Sequence, residues 1–545
     1  MTTTSTATDF DVVVIGAGFG GMYMLHKLRE QGFSVRVYET GTGVGGTWYW
    51  NRYPGARCDV ESLEYQYAFS DALQREWMWT ERYATQPEIL RYANHVADRF
   101  DLRRDIRFET RVTAAKFDEA SDKWVVDTEP KGRVRARYLV TAAGCLSAAR
   151  VPDFPGAERF EGESYHTGRW PHGGVDFTGK RVGIIGTGSS GIQSIPVIAA
   201  QAKHLTIFQR TPNFSVPAQN WVLQRENIAK HKDTFVAARK EALNTGFGAA
   251  MFANLKSALE ADAQERDQRY EELWRQGGAG FLIAFNDLLF NQAANDTAAE
   301  FVRNKIRSIV KDPNVAEMLC PHDHPLGTKR ICVDTEYYET FNRANVKLVD
   351  VRAAPIQEIT AKGLRTSDAS YEFDVLVFAT GFDAMTGPLL RIDIEGRKGE
   401  KLAHKWAAGP KTYLGLSMVG FPNLFTITGP GSPSVLSNMI ASIEQHVDWI
   451  ADCLVHLRKN GFATIEAEPG AEDEWVKHVN DVADLTLFPR ANSWYVGANI
   501  PGKPRVFMPY VGGIGLYRQK CDDVAANGYT GFTVTRRDDR RRRSA

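Results

Sequence analysis

Short apolar runs closed by glycine recur along the chain and alternate with stretches whose apolar positions return every third or fourth residue. The run at 12–15 is followed by Gly16, Gly18, Gly20 and Gly21, a helical pattern over 22–28 and a second apolar run at 35–38. A wholly apolar run next to a glycine turn predicts a strand buried on both faces, and strand, turn, helix, strand predicts a parallel unit. The same order returns with the run 182–185, then Gly186, Gly188 and Gly191, then the run 205–208. The segment 106–140 reads as a small strand-rich insertion, and the runs ending in Gly144 and Gly381 read as strands entering glycine turns. Between 220 and 314, heptad-like patches rich in Glu, Lys and Arg predict an inserted group of helices. The fold class expected is α/β, with two Rossmann-like dinucleotide-binding domains and a helical insertion in the second.

The two glycine units differ where a dinucleotide is told apart. Gly16 and Gly18 let the backbone turn and approach a pyrophosphate at a helix N-terminus, and Gly21 permits close packing of helix on strand. Glu39 ends the second strand of the first unit, where a carboxylate accepts ribose hydroxyls. The corresponding strand of the second unit ends in Gln209, Arg210 and Thr211. A carboxylate repels a 2′-phosphate, whereas a guanidinium pairs with it through two bonds and Thr211 adds a donor. The second unit is therefore expected to take NADPH, with Gly186, Thr187, Gly188, Ser189, Ser190, Gly191 and Gln193 around it.

Composition narrows the function classes. The chain has 545 residues, more than one ordinary core holds, with 66 basic and 66 acidic side chains. That balance leaves no global field for nucleic acid or an anionic membrane. The start MTTTSTATDF lacks the basic and apolar segments of a secretory signal, and the apolar run that follows is too short to span a bilayer, so a cytoplasmic location is expected. Cys58, Cys145, Cys320, Cys332, Cys453 and Cys521 show no close pair and no metal-ligand spacing. This counts against a structural zinc and against a disulfide reductase.

The connector between the two units reads FEGESYHTGRWP at 160–171, and its periodicity predicts a loop. It places Phe160, Gly162, His166, Trp170 and Pro171 at Phe-x-Gly-x-x-x-His-x-x-x-Trp-Pro. Flanked by the two glycine motifs, this spacing resembles the fingerprint of the Baeyer-Villiger monooxygenases, and the resemblance runs from the first glycine motif to the region of Tyr529. It looks nearest to the phenylacetone and steroid types. The resemblance implies FAD in the first unit and NADPH in the second. It implies conversion of aryl, linear or bulky cyclic ketones to esters or lactones with O2, through a C4a-peroxyflavin.

It also implies residue roles. The aromatic run after Gly43 is compatible with packing or with a large flat ligand, and the resemblance favours flavin contact by Thr47, Trp48, Tyr49, Trp50, Asp59, Tyr65 and Val112. Arg57, Cys58 and Asp59 also approach NADP, Lys329 binds its 2′-phosphate, and Trp494 contacts it from a glycine-rich loop expected to act as a lid. Arg330 faces the flavin with Asp59 as its partner, and these two are the expected catalytic residues. Adjacent residues in extended backbone point to opposite sides, so Lys329 and Arg330 can serve different ligands. Apart from the resemblance, the glycine, proline and small apolar content of the loop 429–439 suits Ser434, Val435, Leu436 and Met439 to a wall beside flavin and substrate, with Val60, Cys145 and Leu146 expected to complete the pocket. Phe281, Phe285 and Phe290 are candidates for a substrate entrance. His166 is either a structural hydrogen-bonding residue, a coupler of domain positions or an acid-base group.

The expected divisions are 1–146 and 383–536 for the FAD domain, 147–219 and 325–382 for the NADP domain, 220–324 for the helical insertion and 537–545 for a disordered tail. Ketone and O2 are the expected partners, with no metal, nucleic acid, membrane or obligatory protein partner. A sulfoxidising or N-oxidising flavin monooxygenase is the alternative enzyme, and a non-turnover NADPH-binding redox regulator is the alternative of another class. The fingerprint's Trp170-Pro171 ending counts against the first, and Asp59, Lys329 and Arg330 count against the second.

Overall fold

The computed structural model describes residues 8–251 and 254–536. The expected disordered tail at 537–545 lies outside them, as do the first seven residues. The strand Thr8–Ile15, the helix Phe19–Glu30 and the strand Val35–Tyr38 form the first unit, with both strands parallel. Val12, Val13 and Val14 are completely buried, as a strand covered on both faces requires.

The second unit repeats the arrangement with Arg181–Ile185, the helix Ser189–Gln201 and His204–Gln209. The same backbone constraint appears in both. Gly16 and Gly186 have φ of +101° and +111°, and a Cβ on Gly21 or Gly191 would lie 1.8 or 2.3 Å from the carbonyl oxygen of Gly16 or Gly186. Only glycine lets the helix start so close to the strand that feeds it.

The first sheet runs, by strand, Asp393–Glu395, Arg111–Asp118, Lys123–Glu129, Gly132–Thr141, Thr8–Ile15, Val35–Tyr38 and Ile106–Arg107, and Leu424–Thr426 pairs with the end of Gly132–Thr141. The strand-rich segment expected as an insertion is therefore continuous with this sheet. Gly132–Thr141 pairs on one side with its own hairpin partner and on the other with Thr8–Ile15.

The second sheet is wholly parallel, in the order Val346–Asp350, His204–Gln209, Arg181–Ile185, Val375–Phe378, Glu163–His166. Its edge strand corrects the expected loop, since four residues of the fingerprint pair with Val375–Phe378. An edge strand this short, with only its last residue buried, carries too little alternation for its period to be read.

The chain leaves the second unit through Ser215–Pro217 and returns through Cys332–Asp334, which pair in parallel. Between them lie the helices Arg225–Ala242, Ala263–Gln276, Gln292–Ile309 and Pro313–Leu319. Phe281 and Phe285 are buried in a core shared by the helices and the second sheet, and Phe290 is exposed. None of the three lines the cavity between the glycine motifs. No helix among the described residues is long and apolar enough to cross a membrane. Within the described residues, the divisions into FAD domain, NADP domain and helical insertion stand as our proposed partition.

Candidate active site between the two glycine motifs

A cavity of about 950 Å³ joins the two units at the C-terminal ends of their strands. This is where open parallel sheets place their ligands. Gly16, Gly18, Gly20 and Glu39 form its first end, and Thr47, Trp48 and Trp50 stand beside them on the short helix Thr47–Trp50. Arg57, Cys58, Asp59 and Val60 continue the wall, followed by Tyr65, Val112, Cys145 and Leu146. Gly188, Ser189, Ser190 and Gln193 form the second end, and Arg330, Val435, Met439 and Trp494 lie between the two.

These ends suit dinucleotides. The helices Phe19–Glu30 and Ser189–Gln201 are capped by Gly18 and Gly188, which leave their first-turn N–H groups without a side-chain acceptor. An added Cβ on Gly188 meets no atom within 4 Å, so that helix opens onto the cavity. Glu39 accepts from the N–H of Ala17 at 2.8 Å and of Gly41 at 2.7 Å, which uses part of the carboxylate and leaves lone pairs for a ribose. Burial pushes its pKa up against those bonds. Gln193 ties the ends together, since its side chain accepts from Tyr53 Oη at 2.9 Å and donates to Arg57 O at 3.1 Å.

Other expected residues sit behind the wall. Gly21, Gly186 and Gly191 serve helix packing. The Tyr49 ring lies under Gly41 and Gly43, and its hydroxyl accepts from Thr42 N at 2.9 Å. Thr187 donates to Thr211 O at 3.1 Å. Of the three consecutive residues 434–436, only Val435 reaches the cavity; Ser434 is fully buried facing Thr428 O, and Leu436 joins a neighbouring apolar cluster. They form one turn of 3-10 helix, which sends successive side chains in three directions.

Lys329 and Arg330 diverge as expected. Lys329 Nζ is 3.9 Å from Asp323, which Arg352 approaches at the same distance. Burial lowers the Lys329 pKa, and the charges of Arg210 and Arg352 lower it further against the pull of Asp323. Arg352 is thus a third cation beside Arg210 and Lys329. Sequence reasoning missed it because it follows a strand distant in sequence, whose Asp350 pairs with Gln209.

Arg330 points into the cavity. Its Nε lies 2.9 Å and its Nη2 2.8 Å from Asp59 Oδ2, and Nη1 donates to Val435 O at 2.8 Å. Burial opposes its charge, but Asp59, with Tyr495 and Cys58, outweighs that effect and raises the pKa. Burial pushes the Tyr495 hydroxyl up to about 12 although Arg330 pulls it down. Tyr495 escaped the sequence reading; its only signal was adjacency to Trp494, and the two rings are 4.2 Å apart.

His166 does not reach the cavity. Its Nδ1 accepts from Gly168 N at 2.9 Å, so Nε2 carries the proton and donates to Arg150 O at 2.9 Å, with Thr380 Oγ1 at 3.2 Å. Burial lowers its pKa. The ring therefore joins the fingerprint strand to the connector before it and to the strand end at Thr380. His166→Ala is expected to lose about 2 kcal/mol of stability from two hydrogen bonds and to raise the NADPH KM, with the shape of the kcat–pH profile unchanged. Loss of one limb of that profile in a variant of normal stability would instead make His166 an acid-base group.

The pyridine nucleotide-disulphide oxidoreductase family model matches residues 10–242. A Baeyer-Villiger monooxygenase of Pseudooceanicola batsensis is 46% identical over 532 residues, covering 97% of each chain. An oxidized steroid monooxygenase solved with NADP bound is 54% identical, with a TM-score of 0.93 over 97% of this chain and 100% of that one. The solved OTEMO complex with FAD and NADP is 44% identical, with a TM-score of 0.94 over the same shares. Likeness of this extent, along nearly the whole of each chain and in one fold, answers the question the cavity poses: the chain belongs to the Baeyer-Villiger monooxygenases.

Proposed function

We propose that this enzyme oxidises ketones to esters or lactones with Arg330, oriented by Asp59, as the fixed charge that holds the oxygen-transferring group. The observation that carries the proposal is the Arg330 guanidinium, aimed between the two glycine ends and fixed by Asp59 Oδ2 and Val435 O. Bound FAD, reduced by NADPH, supplies the activation of O2. Arg330 remains cationic throughout the working pH range and offers its remaining N–H donors to negative oxygen. Asp59 and Val435 fix the plane of the fork, so little reorganisation is needed when charge develops. A unit charge about 4 Å from such an oxygen, at an effective dielectric near 20, contributes on the order of 4 kcal/mol. Val60, Cys145, Leu146, Val435 and Met439 provide the apolar wall that excludes water and accepts the ketone.

Gly16, Gly18 and Glu39 hold the FAD pyrophosphate and ribose in this reading, with the aromatic rings of Trp48, Trp50 and Tyr65 around the flavin. Gly188, Ser189, Ser190 and Gln193 hold NADPH, and Arg210, Thr211 and Lys329 take its 2′-phosphate. Loss of a charged hydrogen bond costs about tenfold in affinity, so Arg210→Ala and Lys329→Ala are each expected to raise the KM for NADPH by about that factor. Activity with NADH should not change. Equal losses with both nucleotides would remove these residues from phosphate recognition.

The reading is tested by supplying the FAD-loaded protein with NADPH, isotopically labelled dioxygen and phenylacetone. Ester carrying the label, formed in equal amount to the NADPH consumed, is the expected result. Oxidation of an added sulfide or amine with no ketone product would favour the S- or N-oxidising alternative.

A further inference from the structure

A buried charge cluster lies behind the cavity wall and outside the machinery described above. Arg239, on the helix Arg225–Ala242, is 1% exposed. Its Nη1 donates to Gly248 O at 3.0 Å. Its nitrogens approach Glu64 Oε2 at 3.8 Å and Glu444 Oε2 at 3.9 Å, beyond hydrogen-bond range. The carboxylates are anchored through their other oxygens. Glu64 Oε1 accepts from Ala250 N at 3.1 Å, and Glu444 Oε1 accepts from Ala68 N at 2.6 Å and Phe69 N at 2.8 Å.

Three segments of chain meet at this cation. The helical insertion contributes Arg239 and the stretch 247–250, the loop after Asp59 contributes Glu64, and the helix Met439–Lys459 contributes Glu444 from its second turn. Asn438 caps that helix and ties the same segments together. Its N–H donates to Phe247 O at 2.7 Å, and its side chain donates to Glu64 O at 2.8 Å and Gly248 O at 3.3 Å. Each tie is one residue from the wall, since Tyr65 follows Glu64, and Ser437 and Met439 flank Asn438. Displacement of Arg239 therefore reaches Tyr65 and Met439 through backbone.

An apolar plug would fill the same space without the cost of desolvating these groups, a cost that holds the pKa of Glu64 and Glu444 up against the pull of Arg239, but would not fix how the segments lie relative to one another. We propose that Arg239, with Glu64 and Glu444, is a positioning cluster that seats the helical insertion on the flavin-side helix and so sets the shape of the ketone end of the cavity. The proposal rests on the ketone-oxidising reading above.

The test compares Arg239→Met, Arg239→Lys and the double variant Arg239→Met/Glu444→Gln in FAD-loaded protein. The double variant removes the more deeply buried of the two carboxylates left unpaired, should the single one fail to fold, because the amide oxygen that Glu444→Gln introduces can still accept from Ala68 and Phe69. Misplacing a wall costs about tenfold or more. The folded Met variant, single or double, is therefore expected to raise the ketone KM by at least that factor and lower the ester formed per NADPH. FAD content and NADPH oxidation without ketone should not change, and Arg239→Lys should recover part of the KM. A Met variant with normal ketone KM and coupling, even with a lower Tm, overturns the proposal. Absence of ester from the parent protein overturns the functional reading as well, so the two failures are distinguishable.

Discussion

Arg330→Ala is expected to lose ester formation by about a thousandfold, the rate equivalent of roughly 4 kcal/mol, while still binding FAD and oxidising NADPH. The side chain reaches the cavity from outside both glycine ends, and its anchors, Asp59 and Val435, belong to the wall. Its removal leaves Asp59 without its cation but breaks no side-chain hydrogen bond to either glycine motif. Oxygen activated at the flavin then escapes as hydrogen peroxide. Arg330→Lys should recover only part of the activity, because an ammonium cannot reproduce a planar fork held by Asp59 and Val435 together. The check is ester yield by chromatography, with NADPH consumption and peroxide followed in the same reaction. Normal ester formation in Arg330→Ala would withdraw the charge assigned to it.

Gly21→Ala should have an effect of the same order on a different step. The added methyl would lie 1.8 Å from Gly16 O, and the helix can make room only by moving off its strand. Gly16 has a positive φ, and its own Cβ direction is blocked by Ala142 O at 2.6 Å, so the turn has no slack. Loss of bound FAD and a markedly lowered Tm are expected, by flavin absorbance and thermal unfolding. Gly188→Ala provides the contrast. Its methyl meets nothing in the protein, so FAD content and Tm should remain near the parent's while the NADPH KM rises as the methyl enters the pyrophosphate's path. A Gly21→Ala protein with full flavin content and unchanged Tm would mean the packing constraint is absorbed elsewhere.

The glycine units were legible because their signal is local. Strand, turn, helix and terminal Glu39 or Arg210 fall within one stretch of sequence, and their spacing follows from backbone sterics. The pairing of Asp59 with Arg330, 271 residues apart, has no periodic signature and became visible only through family resemblance. The fingerprint strand was missed because the hydrogen bonds of Glu163–His166 come from a distant partner, Val375–Phe378. Ser434 and Leu436 were placed in the pocket from composition, and one turn of 3-10 helix sends them elsewhere. Phe281 and Phe285 looked like an entrance because an aromatic in a helical group reads alike whether it faces a ligand or the core. Arg239 and Arg352 lay beyond reach for a common reason: a lone arginine in a charged stretch reads as a solvated face until tertiary structure buries it or sets it beside other cations.

The central claim is tested most directly by stopped-flow absorbance of the reduced, NADP+-bound protein mixed with oxygen, followed by phenylacetone. The account predicts a long-lived absorbing species that persists without ketone and decays on its addition as ester appears. Immediate return of oxidised-flavin absorbance with release of hydrogen peroxide, and no ester, would contradict it.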